Sequence, residues 1–98
     1  MNLVWSVEAS DSLEQIYVYI LEESPQNALM VIDEIIKLAE KLKDERFEYS
    51  IDPIINKHNY RHINIWSYKI IYMRNLNSVI ILDIFDGRQN QKKINKYK

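Results

Sequence analysis

The stretch YRHINIWSYKIIYMRNLNSVIILDIF, residues 60–85, decides the fold. It is rich in Ile, Tyr, Val and Phe, which suit a pleated, half-buried backbone. Two short polar breaks interrupt it, Ser67 and Asn75-Leu76-Asn77-Ser78. They predict three strands, Tyr60 to Trp66, Tyr68 to Arg74 and Val79 to Phe85, joined by tight turns in an antiparallel meander. Val79, Ile80, Ile81 and Leu82 leave the last strand no polar face, which predicts a central or doubly covered strand. Asp86-Gly87 closes it, with Gly87 supplying the turn.

Upstream, the periodicity fails from Phe47 to Asn59, where Asp52-Pro53 and Asn56 punctuate a loop. Before that loop the period is helical. Ala28, Ile32, Ile35, Ile36, Ala39 and Leu42 form one apolar stripe and predict a helix over about 25–45. Leu13, Ile16, Tyr17, Ile20 and Leu21 form another and predict a helix over 7–23, with Ser6 as its N-cap. Ser24-Pro25 ends the first helix and starts the second, since the residue before a proline leaves helical geometry and proline suits the first helical position. Ser24 is a second candidate cap. Asn2 to Trp5 reads as a short opening strand. The predicted class is α+β in the order β-α-α-β-β-β, a helical hairpin packed on a small antiparallel sheet.

A chain of 98 residues and 11.8 kDa fits one domain, residues 1–98. Cysteine is absent, which excludes disulfides, Cys-containing zinc sites and thiol nucleophiles. The one glycine, Gly87, excludes a glycine-rich phosphate loop. No cofactor is expected. His58 and His62 straddle a loop and a strand, so with Asp52 they align poorly as metal ligands, and no metal is expected. No run approaches the roughly 20 apolar residues of a membrane span. Met1-Asn2-Leu3-Val4-Trp5 lacks the basic region and apolar run of a secretory signal, so the expected compartment is the cytoplasm.

The net charge of −1 hides a division. Residues 1–48 hold eleven acids and four bases, a balance of −7, and residues 49–98 hold nine bases and three acids, a balance of +6. The sheet half is thus the basic half, and the sheet face left open by the helices is expected to be positive. Arg61 opens one strand, Lys69 begins the next, and Arg88 follows the last. A meander can bring such positions to one face or edge, where three cations would suit an anion. Arg61, Lys69, Arg74, Arg88, Lys92 and Lys93 are the candidate nucleic-acid or target-binding residues. Tyr60, Trp66, Tyr68 and Tyr72 flank them and can stack on unpaired bases, although packing is the ordinary use of sheet aromatics.

With these motifs placed, the chain resembles the RelE/ParE superfamily of type II toxin–antitoxin (plasmid stabilisation) toxins. VWSVEASDSLEQIYVYI (4–20) and SPQNALMVIDEI (24–35) look like its first strand and two helices. YRHINIWSYKIIY (60–72) and ILDIFDGRQNQKK (81–93) look like its later strands and end motif, and are the more specific. The resemblance implies a growth-inhibiting bacterial toxin neutralised by a cognate antitoxin. ParE-like members inhibit DNA gyrase; RelE-like members are ribosome-dependent mRNA endoribonucleases; a non-toxic, antitoxin-binding relative is a third possibility. If the chain is an enzyme, the RelE-like motif positions make Arg61, Lys69 and Arg88 the catalytic candidates. Arg61 replaces that motif's first lysine, Ile63 its second, and Lys69 its third-strand arginine, while Arg88 matches its late arginine. Ile94 stands where its tyrosine would be, with Tyr97 out of step. The lost cation and the two Arg/Lys exchanges favour the ParE-like, gyrase-directed reading.

Overall fold

Ser6 sets the geometry of the first half. Its hydroxyl accepts from the Ala9 amide at 3.0 Å, capping helix α1 (Val7–Glu23), and donates to the Leu82 carbonyl at 2.7 Å. The same side chain thus ends strand β1 (Asn2–Trp5) and ties the helix start to the sheet. The computed structural model describes residues 1–44, 46 and 60–86. After α1 come helix α2 (Pro25–Lys41) and strands β2 (Tyr60–Ile65), β3 (Tyr68–Arg74) and β4 (Ser78–Asp86), in the predicted order.

Ser24 alone joins the helices. Its side chain makes no capping bond; its amide donates to the Ile20 carbonyl at 2.7 Å, so it closes α1 while Pro25 opens α2. Helix α2 stops earlier than the predicted residue 45. Lys43 and Asp44 donate to the carbonyls of Glu40 and Lys41 in a tightened last turn.

The sheet order is β1-β4-β3-β2, so β4 is central, as its apolar sequence demands. Strands β2, β3 and β4 form the expected antiparallel meander. The sheet as a whole is mixed, because β1 pairs with β4 in parallel, Leu3 opposite Val79 and Trp5 opposite Ile81. The helical hairpin and two strands lie between β1 and β4, ample chain for the crossover that a parallel pair needs.

Strand β4 carries a bulge. Ile71 pairs with Asp83 and Tyr72 with Ile81, which leaves Leu82 without a partner in the ladder. Downstream of it the alternation is reset. Ile84, not Phe85, joins Val79 and Ile81 in the helix-facing core. Phe85 packs on the other face with Ile71, Tyr60 and Leu82. Asp83 turns towards α1, where it accepts from Ser12 Oγ at 2.6 Å and from the Ile84 amide at 2.8 Å.

The main core lies between the hairpin and the sheet. Helix α2 contributes Val31, Ile35 and Ala39, followed by Leu42, and the strands contribute Ile63, Ile70, Tyr72, Val79, Ile81 and Ile84. Trp66, in the β2–β3 turn, has φ 51°. In that left-handed region a Cβ crowds the following carbonyl, at a cost of roughly 1–2 kcal/mol.

Candidate functional site

Strand alternation decides where each predicted cation goes. On β2, Arg61 lies two residues before Ile63, and Ile63 is in the helix-facing core. Arg61 also pairs with Tyr72, another residue of that core. It therefore belongs to the helix side of the sheet. Arg74 stands two residues beyond Tyr72 on the same side. Its Nη2 donates to the Leu42 carbonyl at 2.9 Å, and its Cζ lies 5.8 Å from the centre of the Tyr72 ring. A guanidinium at the C-terminal end of α2 also meets the negative end of the helix dipole. Arg61 and Arg74 thus share the helix side of the sheet.

Lys69 goes the other way. It pairs with Asn64 on β2 and with Phe85 on β4, and Phe85 belongs to the cluster on the face turned from the helices. The meander therefore does not unite Arg61 with Lys69. Arg88, Lys92 and Lys93 lie outside the described residues, as do Asp52, His58, Ile94 and Tyr97. Ile63, at the position the resemblance gives to a lysine, is 4% exposed and part of the core.

The expected positive open face is mostly apolar among the described residues. Val4 pairs with Ile80, Ile80 with Met73, and Met73 with Tyr60, so an apolar row crosses all four strands. Residues 60–86 hold three bases, Arg61, Lys69 and Arg74, against two acids, Asp83 and Asp86. Most of the positive charge of the second half therefore belongs to residues beyond Asp86.

Past α2, Arg46 grips Asp44 with its amide at 3.0 Å and its guanidinium at 2.6 Å. These hydrogen bonds, the side-chain ones foremost, lower the Asp44 carboxyl to about 2. The carboxylate in turn raises the Arg46 guanidinium. On α2, the hydrogen bond from Lys37 to Asp33, 3.0 Å apart, raises the Lys37 ammonium.

Two surface features gain definition from the structure. The outer side of α1 forms a groove of about 540 Å³ lined by Asp11, Glu14, Gln15, Val18, Tyr19 and Glu22. Its signal was present: α1 holds no base, and Val18 and Tyr19 are apolar residues off the buried stripe. The second is Trp66, 58% exposed at the tip of the β2–β3 hairpin. Among the described residues no group of three His, Asp or Glu side chains gathers as a metal site. No helix among them is long and apolar enough to cross a membrane.

Residues 3–91 match the model of a family described as the ParE toxin of the type II toxin–antitoxin system parDE. Among solved structures, nine chains match. A chromosomal ParDE toxin–antitoxin system from P. aeruginosa is similar with a TM-score of 0.74 and 19% identity, over 88% of this chain and 95% of that one. At that identity the likeness carries the fold. No curated protein matches this chain significantly.

Proposed function

The chain belongs to the ParE toxin family and is the toxin component of a type II toxin–antitoxin module; from that premise we propose that it arrests growth by inhibiting DNA gyrase in the cytoplasm and is held inactive by a cognate antitoxin. One observation carries the choice of target: Arg61 and Lys69 project to opposite faces of the sheet, with Ile63 in the core between helices and sheet. Attack of a 2′-hydroxyl on the adjacent phosphate needs a proton acceptor, a proton donor and cations converging on one phosphorus. Two side chains separated by a sheet cannot serve one phosphate. Gyrase inhibition by binding requires no such convergence.

The split also bears on the antitoxin. A segment lying along one face cannot mask both Arg61 and Lys69. The row Val4, Ile80, Met73 and Tyr60 is the apolar surface that a folding antitoxin segment would bury. Lys69 lies on that face and would attract an acidic segment to it.

Expression of the chain alone in bacteria tests this reading. Growth arrest with induction of the DNA-damage response, relieved by co-expressing a cognate antitoxin, is the expected result. Arrest with ribosome-dependent mRNA cuts and no DNA-damage response would return the nuclease reading. Unimpaired growth would make the chain a non-toxic relative.

A further inference from the structure

Trp66 combines two properties that oppose each other. Among the described residues it is the one non-glycine with a left-handed backbone, at φ 51°, where Gly or Asn is the ordinary occupant. It is also 58% exposed, so its indole draws little from packing in the isolated chain. The hairpin beneath it is fully paired, Ile65 with Tyr68 and Asn64 with Lys69. The two-residue turn therefore displays a large aromatic side chain on a stiff support. Such a side chain loses little freedom on insertion into a pocket, and tryptophan is enriched at the energetic centres of interfaces.

The charges near the tip favour a protein partner over a nucleic acid. Surfaces that stack single-stranded bases pair their aromatics with a cationic groove along the backbone. Among the described residues, the strand positions nearest the tip carry one charge of each sign, Lys69 and Asp86. Arg61 and Arg74 lie on the other face, Arg74 over Tyr72 and at the end of α2. The tip is also at the opposite end of β2 and β3 from Tyr60 and Met73, where the antitoxin row crosses.

We propose that Trp66 is the anchor by which this chain docks, inserting its indole into an apolar pocket on the folded target protein. The inference rests on the reading that the chain is a toxin with a protein target, but not on that target being gyrase. The antitoxin leaves the indole exposed.

Trp66→Gly tests it, because glycine suits the backbone at this position and the variant should melt no lower than the wild type. Its affinity for purified DNA gyrase holoenzyme should fall about tenfold or more. Its affinity for the antitoxin should stay within about twofold, as for a surface change outside an interface. Trp66→Phe, which keeps an aromatic ring, should recover part of the lost binding. A Trp5→Phe protein with 5-hydroxytryptophan at position 66 can be excited apart from gyrase's own tryptophans. Iodide should quench it freely in the antitoxin complex and poorly in the gyrase complex. The proposal is overturned if Trp66→Gly arrests growth as fully as the wild type at equal protein level. Shielding of the indole by the antitoxin, or by a single-stranded oligonucleotide in place of gyrase, overturns it too. If the wild type arrests growth without binding gyrase, only the gyrase reading fails. Arrest lost in the folded Trp66→Gly protein then still supports the anchor, and arrest retained overturns it. A wild type that leaves growth unaffected overturns both.

Discussion

Ser12 and Asp83 form the contact on which α1 and the centre of the sheet meet. Both are buried, and a buried carboxylate is tolerated only while hydrogen bonds replace its water. Ser12 Oγ supplies one of them at 2.6 Å. Ser12→Ala should therefore cost about 1.5–3 kcal/mol in urea unfolding, the range for a hydrogen bond to a charged group. Ser10→Ala, on the exposed side of α1, should stay within about 0.5 kcal/mol. Asp44 makes a prediction about pH. Its folded-state value is lowered from 3.8 to about 2, so its contribution is present above 3.8 and lost as the pH falls towards 2. The difference in melting temperature between wild type and Asp44→Asn should shrink across that window. It should be small throughout and weaker in high salt, because the pair is exposed.

Among the elements, α2 holds the hairpin to the sheet. Its buried positions, Ala28, Val31, Ile35 and Ala39, follow a 3-4-4 spacing that ends at Leu42. Ile35→Ala should cost about 2–5 kcal/mol in chemical unfolding, since the site is closed on all sides. The sequence periodicity found this helix and its central contacts. It substituted Ile32 and Ile36 for Val31, because several apolar residues crowd adjacent positions and hydrophobicity alone does not choose among them. Ile36 is 37% exposed. On α1 the stripe from Leu13 to Ile20 is half-buried, whereas Ala9 and Ser12 are fully buried. Small and polar residues carry no hydrophobic signal, yet they are what close approach to β4 requires. The strands were legible because β-branched and aromatic runs stop at Ser67 and again at Asn75 to Ser78. The bulge at Leu82 was not. Simple alternation assigns Ile81, Asp83 and Phe85 to one face, and only the pairing with β3 reveals the reset. Parallel pairing of β1 was equally silent, since no local residue records which strand a short edge will join.

Across the whole molecule, charge and surface follow different divisions. The −7 half forms β1 and the helices, and α1 turns an acidic groove outward. The sheet half is nearly balanced between residues 60 and 86, so its positive character belongs to the segment beginning at Arg88. Sequence position predicted which cations exist but not which share a face. Arg61 and Lys69 were separated by strand parity, and Arg61 shares its face with Arg74 instead. That separation underlies the choice of gyrase over messenger RNA. The most direct measurement is a DNA supercoiling reaction with purified gyrase and the purified chain, run beside a reconstituted translation reaction with 5′-end mapping of the message. Dose-dependent loss of supercoiling, restored by antitoxin, with an intact message, is the result expected. Undiminished supercoiling with cuts that appear only when ribosomes are present would contradict it.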